Sequence, residues 1–243
     1  MSQRLDQLLV ERGLADSREQ AKRLILAGEV TVEGVPSPKP GQKVPTDAVI
    51  LLKEKPRYVS RGGLKLEAAL DAFALDVTGR VGIDIGSSTG GFTDCLLQRG
   101  ALRIHAFDVG TNQLAWKLRQ DPRVRSREKF NCRDLSLAET GEPGGIVVID
   151  VSFISLTLIL PAAFRVLDPA GDLVCLIKPQ FELERADIGK GGIVRDSSLH
   201  HRAVSKIQDF ITSTLDKAWK GIIDSPITGT DGNREFLAWL RHE

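Results

Sequence analysis

The sequence predicts an α/β protein with a large doubly wound domain on a parallel sheet, preceded by a small α+β domain. Three observations support this prediction. From residue 58 onward, short apolar runs alternate with helical patterns, and a glycine-rich turn follows the first run. Residues 3–54 instead show two short helical patterns followed by short strands. We therefore expect a small domain over 1–54, a linker over 55–60 and the large domain over 61–243.

The strands of the large domain are predicted from nearly continuous apolar runs, which are typical of parallel strands buried on both faces. The runs are Val81–Ile85, Ile104–Phe107, Ile146–Ile149 and Leu173–Ile177, and the last two strands are expected at Gly221–Asp224 and Glu235–Leu240. Helical patterns lie at 63–73, 91–99, 111–120, 155–167 and 197–216. This alternation predicts a sheet whose ligands bind at the carboxyl ends of the strands.

The glycine-rich turn is the strongest indication of a ligand. It contains Asp84, Gly86, Ser87, Ser88, Gly90, Gly91 and Phe92. A strand, a glycine turn and a helix start form the place where such sheets bind nucleotide-like ligands. The turn lacks the G-x-G-x-x-G spacing and a phosphate-binding lysine, and Asp84 would repel a phosphate. The pattern therefore favours a nucleoside with an amino-acid tail, S-adenosylmethionine (SAM), over the dinucleotide of an oxidoreductase.

Polar residues after the next strands complete the expected cofactor pocket. Asp108 follows the turn by about 20 residues, where an acidic side chain can accept the ribose hydroxyls. The alternative for Asp108 is an N-cap of the helix predicted over 111–120. Asn131 and Asp134 are expected at the edge of the adenine pocket, although both residue types are common in loops.

Two charged residues, Asp150 and Lys178, each end an almost wholly apolar strand. A lone buried charge is costly, so each needs a partner, and adjacent strand ends would provide one. A purely structural salt bridge is the alternative to a catalytic pair. Lys65 and Glu235 are unremarkable when each is considered singly.

The small domain carries basic residues at the positions Arg4, Arg18, Lys22 and Arg23. Ser17 is expected to cap the second helix, with Gln20 at the capping-box position. Charge alone leaves two interpretations open, an RNA-binding surface or a solvated helix face, because Glu11, Glu19 and Glu29 are interspersed.

Residues 3–54 resemble the S-four-like RNA-binding domain, a small fold named for a ribosomal protein. The matching strings are Arg4–Leu9, Ser17–Ala21, Ile25–Gly28 and Val30–Val32. In that family the start of the second helix faces RNA, so the resemblance implies that Arg4, Arg18, Lys22 and Arg23 bind RNA.

Residues 58–243 resemble the FtsJ-like RNA ribose 2′-O-methyltransferases, which have a Rossmann-like SAM-dependent methyltransferase fold. Their Lys-Asp-Lys-Glu tetrad matches Lys65, Asp150, Lys178 and Glu235 in chain order. The strings Tyr58–Leu66, Asp150–Ser155 and Lys178–Glu182 are more specific still. The whole chain is similar to the TlyA family, which methylates cytidines of ribosomal RNA and was long labelled hemolysin.

This resemblance implies SAM-dependent 2′-O-methylation of ribosomal RNA, free or in ribosomal subunits. A ribose hydroxyl must lose its proton as it attacks, and a lysine accepts that proton only when it is neutral, which a second nearby cation favours. We expect Lys178 to be the base, Lys65 to assist it, and Asp150 and Glu235 to position the lysines. The alternatives are a non-catalytic ribosome-binding or assembly factor and, less favoured, a membrane-lytic protein.

Composition limits the classes that remain. The net charge is +1, so RNA affinity must come from a local patch. The three cysteines, Cys95, Cys132 and Cys175, lack metal-ligand spacing and predict buried thiols in a reducing compartment. No apolar run approaches the ~18 residues of a membrane helix, and the first residues do not form a signal peptide. We expect a cytoplasmic protein with no metal and no membrane partner.

Overall fold

A computed structural model describes residues 2–53 and 56–243, which form two compact units, Met1–Pro56 and Arg57–Glu243. Glu54 and Lys55 of the predicted domain border lie outside the described residues. Residues 58–60, which the sequence analysis assigned to the linker, belong to the second unit. Tyr58 is buried there, and the Val59 N–H donates to Asp94 Oδ2 at 2.8 Å.

The first unit, over its described residues 2–53 and 56, has two helices and two small antiparallel sheets. Its elements are β1 (Ser2–Arg4), α1 (Leu5–Glu11), α2 (Arg18–Leu26), β2 (Val30–Val32), β3 (Lys43–Pro45) and β4 (Ile50–Leu52). Strand β1 pairs with β3, and β2 pairs with β4. The apolar faces of both helices meet the strands, since Leu5, Leu9 and Ala21 are fully buried in one cluster with Val44.

The capping prediction for α2 is confirmed at Ser17, whose Oγ accepts the Gln20 N–H at 3.2 Å. The Gln20 side chain does not accept the Ser17 N–H, as it would in a reciprocal capping box. Its Oε1 accepts the Asp16 N–H at 2.6 Å, one residue before the cap. The same glutamine therefore anchors the loop entering the helix.

The second unit is built on a seven-stranded sheet. Its elements are α3 (Gly62–Ala72), β5 (Val81–Ile85), α4 (Gly91–Gln98), β6 (Arg103–Phe107), α5 (Trp116–Arg119), β7 (Val124–Arg127), α6 (Leu137–Thr140), β8 (Gly144–Ile149), α7 (Leu160–Val166), β9 (Leu167–Ile177), α8 (Pro179–Glu182), α9 (Ser197–Asp209), β10 (Ala218–Asp224) and β11 (Phe236–Arg241). The strand order is β10-β11-β9-β8-β5-β6-β7. Strands β9, β8, β5, β6 and β7 are parallel, whereas β11 pairs antiparallel with β9 and β10 pairs antiparallel with β11.

Both faces of this sheet are buried, as the apolar strands predict. On one face, Ile83 and Val147 pack against Leu160 of α7. On the other, Ile146 and Val148 pack in a cluster with α3 and α4. The predicted α/β architecture, a mainly parallel sheet covered on both faces and preceded by a small α+β unit, is confirmed.

Three predicted helix boundaries are wrong. The helix predicted over 111–120 is only α5, because Glu128 accepts the N–H groups of Asn112 and Gln113 and holds them in a loop. The helix predicted over 155–167 begins as a 3₁₀ turn at Leu156–Leu158 and continues as α7. The helix predicted over 197–216 is α-helical only to Asp209, after which Phe210–Thr214 forms a π turn. Within the described ranges, none of these helices has the length and apolarity to span a bilayer.

Candidate active site

The glycine turn joins β5 to α4 at the carboxyl edge of the sheet. Gly86 has φ +85°, and a Cβ there would lie 2.5 Å from the Asp150 carbonyl oxygen. A Cβ on Gly91 would lie 2.3 Å from Ser60 Oγ. A Cβ at either position would overlap these oxygen atoms, so only glycine fits. The turn is thus packed directly against the segments that carry Asp150 and Lys65.

Asp84 lies buried beneath this turn. Its Oδ2 accepts the Thr93 N–H at 3.0 Å and the Thr93 hydroxyl at 2.6 Å. Thr93 is the third residue of α4, so its N–H has no partner within the helix and finds one in Asp84. Its Oδ1 has no hydrogen-bond partner in the described part of the chain. Burial raises the pKa of Asp84 to about 7, and the charges of Asp150 and Asp108 add to this effect while Thr93 opposes it. The carboxylate supports the turn from below and does not line either cavity beside it.

Asp108 connects the glycine turn to the loop after β6. Its Oδ2 accepts the Ser88 N–H at 2.7 Å, and its Oδ1 accepts the Gly110 N–H at 2.6 Å. The alternative role as a helix N-cap is wrong, because α5 begins later, with Ala115 at its N-cap. Each carboxylate oxygen keeps a further acceptor position.

A cavity of about 410 Å³ opens beside Asp108. Val109, Asn131, Cys132 and Ile159 line it together with Gly86 and Ser88 of the turn. The Asn131 side chain also caps a 3₁₀ turn by accepting the Arg133 N–H at 3.2 Å. Asp134 is exposed and is not among the lining residues. The walls are apolar with a few polar groups, as expected for a nucleoside site.

The four tetrad residues come from four elements. Lys65 lies on α3, Asp150 follows β8, Lys178 follows β9 and Glu235 precedes β11. Strands β8, β9 and β11 are neighbours, and β11 runs antiparallel to β9, so Phe236 pairs with Ile177. The start of β11 therefore lies beside the end of β9, which is why residues distant in sequence meet.

The tetrad forms two ion pairs. Lys178 Nζ lies 2.6 Å from Asp150 Oδ1 and donates to Ser152 Oγ at 2.8 Å. Lys65 Nζ forms a close ion pair with Glu235 Oε2. The predicted contact between Asp150 and Lys178 is confirmed, and Lys65 has Glu235 as its own carboxylate. Both lysines are about nine-tenths buried. Each buried charge needs a nearby opposite charge, and the paired carboxylate supplies it.

All four tetrad residues line one cavity of about 450 Å³. Gly86, Ser87, Ser88, Gly91 and Phe92 of the turn also line it. This cavity shares Gly86, Ser88 and Asp150 with the cavity beside Asp108. Apart from Asp84 and Gly90, the predicted cofactor and catalytic residues thus line two neighbouring cavities at the same sheet edge.

A third cavity, of about 560 Å³, shares Lys178 and Glu235 with the tetrad cavity, and Ser152 and Phe153 with the cavity beside Asp108. Phe153 and Phe181 line this cavity, with ring centroids 5.2 Å apart. Phe153 is 91% exposed and has φ +65°, an uncommon conformation for a residue with a side chain. Sequence reasoning missed Phe153, although its position three residues after Asp150 was a usable signal.

Asn233, which sequence reasoning also missed, connects two loops around the third cavity. Its side chain is buried, its Oδ1 accepts the Val194 N–H at 2.8 Å, and its Nδ2 donates to the Gly192 oxygen at 2.9 Å. Gly192 lines the third cavity, as do Thr230 and Asp231 from the loop that Asn233 ends. One side chain therefore holds both walls together.

In the first unit, two of the four predicted RNA-binding residues hold a buried carboxylate. Arg4 and Arg18 lie 2.9 and 3.2 Å from Asp6 Oδ2, and the Arg4 hydrogen bond lowers the pKa of Asp6 to about 2. Lys22 pairs with Glu19 at 2.9 Å. Arg23 is exposed and has no ion-pair partner within the described ranges. The guanidinium groups of Arg4 and Arg18 remain about half exposed.

Comparison with known proteins assigns both units. Residues 58–242 match the family model described as FtsJ-like methyltransferase, and residues 3–50 match the S4 domain. YqxC of Bacillus subtilis, by name a candidate rRNA methyltransferase, is 52% identical over 98% of this chain and 85% of its own. TlyA of Mycobacterium tuberculosis, a 16S/23S rRNA (cytidine-2′-O)-methyltransferase, is 45% identical over 98% of this chain and 89% of its own.

A solved structure is similar over almost the whole chain. It comes from Streptococcus thermophilus, and its description assigns it to the hemolysins. The two chains are 50% identical with a TM-score of 0.75, covering 99% of this chain and 88% of the other.

Proposed function

The chain belongs to the TlyA family of FtsJ-like RNA 2′-O-methyltransferases, and we propose on that basis that it transfers a methyl group from SAM to the ribose 2′-hydroxyl of a cytidine in ribosomal RNA. One observation carries the proposal. Lys65, Asp150, Lys178 and Glu235 line a cavity that shares Gly86, Ser88 and Asp150 with the neighbouring cavity beside Asp108. Donor and acceptor would then meet at one sheet edge.

The residues of the turn and of the neighbouring loop fit SAM. Asp108 would accept the ribose hydroxyls, and Asn131 would lie at the edge of the adenine. The N-terminus of α4, where Gly91 and Phe92 line the cavity, suits the carboxylate of the amino-acid tail. Asp84 beneath the turn would favour the positively charged ligand. When bound, SAM supplies an electrophilic methyl group on a sulfonium, which is its own leaving group.

Lys178 is the proposed general base. Its Nζ, when neutral, would take the proton of the 2′-hydroxyl as the oxygen attacks. Asp150 and Ser152 hold that nitrogen from two directions, which limits its movement in the cavity. Asp150 would also stabilise the ammonium that forms, because its carboxylate lies at ion-pair distance. Lys65, held by Glu235, would donate a hydrogen bond that orients the hydroxyl.

The third cavity is the proposed site for the acceptor nucleoside. A ribose placed against Lys178 would leave its base beside Phe153, whose exposed ring offers a stacking surface. Enzymes that modify nucleotides within folded RNA commonly take the target out of its stack and hold it on aromatic side chains. The S4 domain would add RNA affinity, with Arg23 and the exposed parts of Arg4 and Arg18 toward phosphates. A ribosomal RNA substrate would place the reaction in the cytoplasm.

The test is methyl transfer to ribosomal RNA from cells that lack this protein. Purified protein and SAM with a labelled methyl group are incubated with deproteinised RNA or with ribosomal subunits. We expect incorporation at a cytidine, and the modified position should resist alkaline cleavage because its 2′-oxygen is blocked. Label on a base instead of a ribose would contradict the proposal.

The same assay separates the alternatives. Binding of SAM and ribosomal subunits without methyl transfer would indicate a non-catalytic ribosome-binding factor. The name hemolysin among the relatives motivates a red-cell lysis assay with the same preparation. Lysis that persists in a Lys178→Ala variant would support a membrane-active function separate from methyl transfer.

A further inference from the structure

A concentrated positive charge lies on the second unit, far from the S4 residues in sequence. Between residues 117 and 133 the chain has seven Lys and Arg and two acidic residues, whereas the whole chain carries a net charge of only +1. The basic residues are Lys117, Arg119, Arg123, Arg125, Arg127, Lys129 and Arg133. The acidic residues are Asp121 and Glu128.

Internal ion pairs account for only part of this charge. Asp121 pairs with Arg123 at 2.7 Å, and Glu128 pairs with Arg119 at 2.8 Å. Lys117 pairs with Asp94, outside the segment. The remaining four form what we call the basic strip. The strip consists of Arg125, Arg127, Lys129 and Arg133. All four are exposed, and none forms an ion pair with a carboxylate among residues 2–53 and 56–243.

The strip follows an edge of the sheet. Strand β7 is the last strand and pairs only with β6. Arg125 and Arg127 are two residues apart on β7 and therefore point to the same face. The Arg127 guanidinium lies 4.5 Å from the centroid of the Phe130 ring, which supports it in place. Asn131, which lines the cavity beside Asp108, lies between Lys129 and Arg133 of the strip in the sequence.

We infer that the basic strip binds the phosphate backbone of the RNA substrate, as a second RNA-binding surface on the methyltransferase unit; this inference rests on the proposed function. Adjacent like charges repel one another, and a polyanion relieves that repulsion while releasing its own condensed cations. The guanidinium groups of Arg125 and Arg127 match phosphate oxygens in two-point hydrogen bonds.

The opposite edge of the same sheet shows what an ordinary solvated edge looks like in this protein. Strand β10 carries Lys220 and Asp224, and Asp224 pairs with Arg234. Charges of both signs are interspersed there, so the edge has no net attraction for a polyanion. The contrast makes β10 a matched control for β7.

The experiment compares two double substitutions in the full chain. Arg125→Gln with Arg127→Gln removes two charges of the strip, while glutamine keeps most of the aliphatic stem. Lys217→Gln with Lys220→Gln removes two charges at the β10 edge. Binding to deproteinised ribosomal RNA from cells lacking this protein is measured across a salt series. Methyl transfer, SAM affinity and melting temperature are measured in parallel.

We expect the strip variant to bind this RNA roughly tenfold more weakly at low salt, and the slope of log affinity against log salt to fall by about 1.5. Its KM for RNA should rise by about the same factor, with kcat, SAM affinity and melting temperature unchanged, because phosphate contacts position the substrate. The β10 variant should match the wild type in every measurement.

Unchanged RNA affinity and salt slope in the strip variant would overturn the inference. Normal binding to deproteinised RNA, with weaker binding only to whole ribosomal subunits, would also overturn it, because the partner would then be a ribosomal protein. If the wild type transfers no methyl group and the strip variant still loses RNA affinity, the proposed function fails while the RNA-binding strip stands.

Discussion

Lys178 Nζ lies 2.6 Å from Asp150 Oδ1, at the ends of the adjacent parallel strands β9 and β8. Each charge ends a strand that is otherwise buried, so each would be costly alone. Ser152 adds a third polar group to the pair at 2.8 Å from the same nitrogen. The lysine is thus held at a fixed point of the tetrad cavity, which is what a general base requires.

Replacing Lys178 should separate catalysis from cofactor binding. We expect Lys178→Ala to lower kcat by about 10²- to 10⁴-fold, the usual contribution of a general base, with SAM affinity within a few-fold of wild type. Lys178→Arg should lose activity similarly, because a guanidinium keeps the charge but does not accept a proton. Single-turnover methyl transfer checks both, with Lys220→Ala on β10 as the control. Substantial turnover by Lys178→Arg would disprove the assignment of a base.

Asp84 should make the stability of the second unit depend on pH. Burial raises its pKa to about 7 from an ordinary value near 3.8. Between these values the folded chain keeps a proton that the unfolded chain has released. The free energy of unfolding therefore contains a contribution from protonated Asp84. This contribution is complete at low pH and is lost as the pH rises through about 7.

Asp84→Asn should remove this dependence, since the amide does not ionise. The stability of the variant relative to wild type should grow by up to about 1.4 kcal/mol per pH unit between roughly pH 4 and 7, and then become constant. Urea unfolding followed by tryptophan fluorescence measures this in the second unit alone, because Trp116, Trp219 and Trp239 all lie there. Parallel pH profiles for the two proteins would contradict the prediction.

Replacing Asn233 should weaken RNA binding at the third cavity without changing the affinity for SAM. Asn233→Ala leaves the buried Val194 N–H without its side-chain partner, which costs about 1–3 kcal/mol, and also removes the contact to the oxygen of the exposed Gly192. We expect faster hydrogen exchange in 189–194 and a several-fold higher KM for RNA, with SAM affinity unchanged. Asn233→Asp keeps the acceptor for Val194 and should show a smaller effect. Equal KM values in all three proteins would show that the loop contact does not shape the site.

The first unit allows a test that separates RNA binding from folding. Arg23→Glu changes an exposed residue and should weaken RNA binding several-fold at low salt without altering stability. Arg18→Glu should weaken RNA binding and also destabilise the unit, because it places a second carboxylate beside buried Asp6. Unfolding curves and RNA titrations at two salt concentrations distinguish the two effects. RNA affinity that is insensitive to Arg23→Glu would argue against α2 as an RNA-facing helix.

Local sequence pattern predicted the major strands correctly because burial on both faces requires continuous apolar runs, as in Val81–Ile85 and Leu173–Ile177. It failed over 111–120, where the residues favour a helix but Glu128, distant in sequence, captures two N–H groups of the segment. It also gave no warning that Arg4 and Arg18 share Asp6. In each case a contact between separate elements outweighed a local preference.

The sequence by itself indicated a small domain before a large one and the glycine turn, because local patterns encode them, and it indicated the tetrad through the resemblance to the FtsJ-like methyltransferases. Tertiary structure confirmed the expected pairing of Lys178 with Asp150, and it alone decided that Lys65 pairs with Glu235, since strand order and direction bring those ends together. It also decided that Phe153 is exposed and that, within the described part of the chain, the basic strip forms no ion pairs. Pairing and exposure depend on neighbours in space, and these exist only once the sheet has formed.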